Sequence, residues 1–387
     1  MATAGARVLL QFASRVVVLL FSLLYCGLWL LLMAYATGRL AARCGAASPV
    51  ALPEPWPLVS ILVAARNEEA NLPRCLASLR ALDYPAEKLE ILVGDDASTD
   101  RTRAVAAAAL AGFAGTWRVV PIEKNLGQAR SKANVLAHLA HHARADYLLL
   151  TDADIAVPPT WVPAMLRHAA PGVGTVTGLT VTEGPGWLAR LQRLDWLLSL
   201  ALIQVGTEAG QPMTAMGNNM LITRAAYLAT GGYEVLPFSV TEDFALFEAV
   251  NARGFGFRQL FEPAVRATSQ PIASWQGLVA QRRRWLRGVA ALPWHVQAGL
   301  VFFSGYWLAV VGVGLAGGLG LAAGALAAKV ASHYALALAA SRRAGLPRPA
   351  WWLLPAFELY SVVLTTHLTL SRLLGRRGVE WKGRRYE

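Results

Sequence analysis

The sequence predicts an α/β domain with a mostly parallel sheet, set between N- and C-terminal transmembrane helices. Three observations lead there. Between residues 58 and 262, short apolar runs of strand length alternate with helical patterns. Uncharged stretches long enough to cross a bilayer lie on both sides of that region. Of the 24 Asp and Glu residues, 21 fall between Glu54 and Glu262, so the soluble face of the chain is concentrated there. At 55% hydrophobic, 16% charged and mean hydropathy +0.40, the 387 residues exclude disorder and argue against an ordinary soluble enzyme.

The elements follow in order. Residues 16–38 carry no charge and lie between Arg15 and Arg39. At 1.5 Å per residue they reach about 35 Å, enough for a bilayer. A cleaved signal peptide competes, since Ala34-Tyr35-Ala36 offers a small-residue site, but the apolar stretch is too long. An uncleaved anchor is expected. A linker rich in proline (Pro49, Pro53, Pro55, Pro57) separates it from the domain at 58–287. Strands are expected at 58–64, 89–93 and 147–150, with helices at 71–82 and 129–142 between them. Strands alternating with helices imply right-handed crossovers, and ligands then bind beyond the carboxyl ends of the strands. Residues 187–205 suit either an amphipathic helix at a membrane surface or a core helix.

Residues 288–328 hold no charge and suit one span or a tight pair; 349–371 hold only Glu358 and suit one more. Gly312, Gly314, Gly317, Gly318, Gly320 and Gly324 favour close helix contact in lipid. The basic tail at 372–387 is expected in the cytoplasm by the positive-inside rule, although the basic loop 342–348 makes the same claim. The chain would then be a multi-pass protein of the cell membrane. After Glu262 there are fifteen Lys and Arg against three acids, within a net charge of +12. These cations alternate with apolar runs, so anionic lipid or a polyphosphate substrate explains them better than nucleic acid. Cys26, Cys44 and Cys75 form no CxxC, which excludes a disulfide scaffold and a cysteine zinc site and fits a reducing compartment.

Three strand ends carry polar clusters: Arg66-Asn67-Glu68-Glu69, Asp95-Asp96 and Asp152-Ala153-Asp154. Residues i and i+2 of an extended segment share a face, so Asp152 and Asp154 can approach one Mg²⁺ or Mn²⁺ bridging a diphosphate. Solvated loop acids are the plain alternative. Asp95 and Asp96 can accept from a ribose hydroxyl or a uracil N–H, or cap the helix expected near Thr99. Lys124, Arg130 and Lys132 can reach phosphate or simply face solvent. Thr241-Glu242-Asp243 offers a general base, or an N-cap with favourable dipole charges. In Gln281-Arg282-Arg283-Arg284-Trp285 the cations can meet a diphosphate and the tryptophan an acceptor, or both can anchor a helix at headgroups.

Together, Ala65-Arg-Asn-Glu-Glu69, Asp95-Asp96, Asp152-x-Asp154, Thr241-Glu-Asp243 and Gln281-x-x-Arg284-Trp285 resemble the ordered motifs of membrane-bound family 2 glycosyltransferases. That group includes polysaccharide synthases and ceramide glucosyltransferases. The resemblance implies a GT-A domain and an inverting hexosyltransferase using a UDP-sugar, expected to carry glucose. It implies that Arg66, Asn67, Glu68, Asp95, Asp96, Lys132 and Asp152 bind the nucleotide sugar and that Asp152 and Asp154 hold the metal. Asp243 would be the base and Arg284 would steady the leaving UDP. Gly217, Asn218, Asn219, Glu242, Gln281 and Trp285 would meet the acceptor. Gly217-Asn218-Asn219-Met220 differs from the Gly-rich stretch of processive synthases, and Trp381-Lys-Gly-Arg-Arg-Tyr386 resembles the ending of bacterial lipid and carotenoid glucosyltransferases. A membrane-lipid acceptor is therefore expected, with a processive polysaccharide synthase as the alternative and a non-catalytic membrane subunit as a third class.

Overall fold

A computed structural model describes residues 2–43, 49–52, 54–289, 294–374, 379–381 and 384–386. It divides into two units. One holds Met1–Cys44, Val289–Arg342 and Leu346–Arg376; the other holds Gly45–Gly288, Arg343–Gly345 and Arg377–Glu387.

The chain starts in the helical unit with α1 (Ala2–Ala42). In the sheet unit, β1 (Val59–Ala65), α2 (Leu72–Arg80), β2 (Leu89–Asp95), α3 (Thr102–Leu110), β3 (Thr116–Pro121), α4 (Ser131–His142) and β4 (Tyr147–Asp152) alternate. Next come β5 (Ile155–Ala156), α5 (Trp161–Leu166), β6 (Val173–Thr177), β7 (Thr180–Thr182), α6 (Trp187–Glu208) and β8 (Asn219–Thr223). The unit continues with α7 (Arg224–Ala229), α8 (Glu242–Ala252), β9 (Gly256–Gln259), β10 (Ala267–Ser269) and α9 (Trp275–Val289). The helical unit resumes in α10 (Trp294–Ser304), α11 (Tyr306–Gly317), α12 (Leu319–Arg343) and α13 (Leu353–Leu373), before a hairpin of β11 (Val379–Trp381) and β12 (Arg384–Tyr386).

Seven strands run in the order β3-β2-β1-β4-β8-β6-β9. The first four are mutually parallel, and β8 runs against both β4 and β6. The sheet is therefore more mixed than its first half suggests. β2 is buried at every position, which suits a parallel strand covered on both faces. Against it lies α4, so close that a Cβ on Gly94 would come within 2.3 Å of Val135 Cγ1. Because β1 has β2 on one side and β4 on the other, the strand order reverses there, and a crevice opens at the carboxyl ends. Register levels those ends: Ala65 is beside Asp95, and Ala64 beside Asp152. Of the two placements open for 187–205, α6 takes the core one along its inner face, burying Leu191, Leu194, Leu197, Leu198 and Leu200. Trp187, at its start, stays 49% exposed.

Among the described residues, four helices are long and apolar enough to cross a membrane: Leu10–Ala42, Val296–Gly317, Leu319–Arg343 and Leu353–Ser371. Small residues let α11 approach α1. A Cβ on Gly312 would meet Ser22 Oγ at 2.4 Å, and one on Gly317 would meet Leu19 Cδ1 at 2.7 Å. Gly320 and Gly324 have open space instead. The uncharged block does not end its helix at residue 328, because α12 runs on through Lys329. There the ammonium and the His333 imidazole both meet the Glu358 carboxylate of α13, in a setting walled by Trp29, Tyr306 and Trp307. A paired charge can stay inside an apolar helix where a lone one would end it.

Candidate active site

A cavity of about 390 Å³ opens beyond β1, β2 and β4. Arg66, Asn67 and Glu68 reach it from the β1–α2 loop, Asp96 from the β2–α3 loop, and Asp152 and Asp154 from the end of β4. Lys132 enters from α4, and Gln281 and Arg284 from α9. Hydrogen bonds lace the first two loops together. Asn67 holds a left-handed φ of 53°, which asparagine tolerates, and its Oδ1 accepts from the Thr99 amide at 2.8 Å. The Glu68 amide donates to Thr102 Oγ1 at 2.7 Å, and Arg66 lies 3.9 Å from Asp96 Oδ2. The helix expected near Thr99 starts at Thr102, where Asp100 Oδ1 accepts from the Thr102 amide.

Lys132 joins the metal-type carboxylates to the acidic pair of α8. Its Nζ lies 2.6 Å from Asp152 Oδ1 and 3.0 Å from Glu242 Oε1. Those two carboxylates raise the Lys132 pKa against the opposing effect of burial. Burial raises Glu242 above the usual carboxylate range despite Lys132, with the Asp243 charge adding to it. Tyr233, fully enclosed, is pushed up by burial and then by the Glu242 charge. Asp243 Oδ2 accepts from the Gly217 amide at 2.8 Å. A Cβ on Gly217 would come 2.6 Å from Asp243 Cβ, so only glycine permits this approach. Thr241 does hold the N-cap position of α8, with Glu242 and Asp243 in the first turn, but its side chain caps no amide and sits 3.2 Å from Ser239 Oγ.

Other expected residues sit elsewhere. Asp95 is buried, with Oδ1 accepting from the Ser98 amide at 3.2 Å, and it does not line the cavity. Asn219 is fully buried and is not placed to meet an acceptor. Its side chain accepts from Trp161 Nε1 at 2.8 Å and donates to the Leu179 and Val265 carbonyls at 2.9 Å each. Asn218 Oδ1 accepts from Thr180 Oγ1. Trp285 lies off the cavity wall and stacks on Trp196 instead. Arg130 bonds to its own loop at the Gly127 and Ala129 carbonyls, and neither it nor Lys124 lines the cavity. Asn71, singled out by no motif, also lines the cavity and donates to Glu68 Oε2 at 2.8 Å.

Asp152 Oδ1 is buried and takes no directed hydrogen bond beyond its ion pair with Lys132. With Asp154 at the same cavity, the donor set is hard oxygen and fits a small divalent cation. Among the described residues no three His, Cys, Asp or Glu cluster as metal ligands, so such an ion would draw further oxygens from a diphosphate or water.

A sheet whose strand order reverses at a cavity of carboxylates and cations is the frame of an α/β nucleotide-binding domain, here with the GT-A fold. The chain belongs to glycosyl transferase family 21, matched over residues 20–387. The chain thereby bears out the glycosyltransferase resemblance carried by its ordered motifs. It is 27% identical over 239 residues to β-monoglucosyldiacylglycerol synthase of Synechocystis sp., covering 60% of this chain and 48% of that protein. It is also 27% identical over 242 residues to poly-β-1,6-N-acetyl-D-glucosamine synthase of Staphylococcus aureus, covering 59% and 54%. The chain thus spans about half the length of the curated relatives it matches. In fold it is similar to the mannosyltransferase PcManGT of Pyrobaculum calidifontis, solved with GDP-Man and Mn²⁺. That likeness has a TM-score of 0.58 at 20% identity and covers 91% of this chain and 98% of that one.

Proposed function

We propose that this chain transfers one hexose, glucose in the first instance, from a UDP-sugar to a hydroxyl of a membrane lipid. The observation that carries the reading is the convergence of Asp96, Lys132, Asp152, Asp154 and Arg284 on one cavity; Asp243 does not line it, and lies beside Glu242 where its charge acts on Lys132. Asp96, beside Arg66, binds the nucleoside end, and Arg284 and Lys132 face the diphosphate. Asp152 and Asp154 hold a divalent cation, which supplies positive charge against the leaving diphosphate. Asp243, held by the Gly217 amide, takes the acceptor proton. The acceptor oxygen then bonds to the anomeric carbon as the bond from that carbon to the diphosphate oxygen breaks, inverting the centre and releasing UDP.

A lipid acceptor is supported by the relative named for glucosyldiacylglycerol synthesis. It is supported again by the four bilayer-length helices and by α9 leading into the apolar α10 within a few residues. The transferase domain is assigned to the cytoplasmic side of the cell membrane. Polymer synthesis is the second reading, favoured by the relative named as a poly-N-acetylglucosamine synthase. Against it, the one acid of α10–α13, Glu358, is engaged by Lys329 and His333 rather than lining a polar conduit. Vesicles holding the purified chain, radiolabelled UDP-glucose and diacylglycerol separate the two. Label extracted into organic solvent is expected; steady release of a water-soluble polymer without added lipid would overturn the proposal.

A further inference from the structure

Helix α9 presents two faces with different work. Successive residues turn by about 100° around a helix axis. Gly277, Ala280, Gln281 and Arg284 therefore share one side, and all four line the cavity. Arg282 and Trp285 point about a third of a turn away. On that side they meet α6. Trp285 stacks on Trp196 with ring centroids 4.8 Å apart and planes 24° from parallel. The Arg282 guanidinium lies 4.2 Å from the Trp285 ring centroid and 5.4 Å from that of Trp196. Its Nη2 is 2.5 Å from Asp195 Oδ2, with the two side chains 12% and 26% exposed.

We infer that Asp195, Trp196, Arg282 and Trp285 form a clamp that fixes the rotation of α9 and so holds Gln281 and Arg284 at the cavity wall. All four are positioning residues, because none of them lines the cavity. Arginine suits the post: its planar, delocalised cation lies over an indole while its N–H fork meets a carboxylate, which a lysine ammonium cannot do together. A few degrees of rotation moves the tip of a long side chain by about 1 Å, and a misplacement of that size costs on the order of a hundredfold in rate. The inference rests on reading Arg284 as the group that steadies the departing diphosphate.

The test uses the full chain in vesicles with UDP-glucose and diacylglycerol, comparing Arg282→Met, Asp195→Asn, their double variant and Arg282→Lys. A clamp lowers kcat by about tenfold or more in both single variants while KM for UDP-glucose stays within about threefold. The double variant falls little below the worse single one, because the two residues act as a unit. Arg282→Lys recovers part of the loss. The stacked indoles also give an exciton couplet in circular dichroism, weakened in Arg282→Met and Asp195→Asn. Unchanged kcat in both variants would overturn the clamp, as would a raised KM at unchanged kcat, which would put Arg282 on the substrate. Should the wild-type chain transfer nothing from UDP-glucose, the proposed function fails while the couplet still reads the clamp. A couplet of wild-type strength in both variants then overturns it. If Arg282→Met does not fold, Arg282→Lys gives the same reading with a smaller loss.

Discussion

Lys132 sets the charge balance of the cavity, because its single ammonium offsets Asp152 and Glu242 at 2.6 and 3.0 Å. Glu242 has a folded pKa raised by burial. Its contribution to stability is therefore present below its unfolded pKa, near 4.3, and is lost as pH rises through the higher folded value. The raised Lys132 pKa keeps its own contribution intact across that window, since it is lost only in alkali. Lys132→Met removes the compensating charge and moves the folded pKa of Glu242 further up. In metal-free buffer its deficit in Tm against the wild type is expected to widen between about pH 4 and pH 7.5. A deficit that narrows would contradict this balance. At Asp243, substitution by Asn keeps an oxygen for the Gly217 amide but cannot take a proton. We expect kcat lower by about 10²–10⁴-fold with UDP-sugar binding little changed. Lost nucleotide affinity at full kcat would make Asp243 a binding residue.

At the scale of elements, β8 and α9 show why neighbours in a motif can have unrelated jobs. In Gly217-Asn218-Asn219 the glycine makes room for Asp243, whereas the second asparagine turns into the core at the start of β8. Asn219→Leu forfeits three buried hydrogen bonds and strands their partners, at a cost of about 3 kcal/mol or more. Thermal melting checks it, and an unchanged Tm would restore Asn219 as a candidate for the acceptor. In the helical unit, Glu358→Ala leaves the Lys329 ammonium buried without its carboxylate, expected to cost about 3–5 kcal/mol. Glu358→Gln should cost less, because the amide still accepts a hydrogen bond. Equal melting of both variants and the wild type in detergent would deny the pair a structural role.

For the molecule as a whole, Arg343 and the two residues after it group with the sheet unit. The Arg343 guanidinium meets both oxygens of the buried Glu208, and Arg266 donates to the Ala344 and Gly345 carbonyls at 2.7 and 2.8 Å. We expect residues 346–348, which follow directly, to share a membrane side with the transferase domain: a cysteine at the exposed Arg348, in a chain with Cys44→Ser, should react with impermeant reagents from that side alone. Labelling from the opposite side would contradict it.

Three strands of the parallel half were legible because runs such as 89–93 and 147–150 are continuously apolar and of strand length; β3, largely open to solvent, was not. Asp152 and Asp154 do reach one cavity, though through a turn at Ala153 and Asp154 rather than the extended alternation expected past the strand end. The path of α12 was not legible, since Lys329 reads as a helix end until Glu358, distant in sequence, is brought beside it. Trp285 misled through adjacency: next to Arg284 in sequence, it is turned about 100° from it on the helix. The most direct measurement is mass spectrometry of lipids after incubating the purified chain in vesicles with UDP-glucose and diacylglycerol. Diacylglycerol heavier by one hexose is expected with the wild type, and none with Asp154→Ala, which removes an oxygen ligand at the cavity while the sheet stays folded. Unmodified lipid with the active wild type, or full product from Asp154→Ala in EDTA, would contradict this expectation.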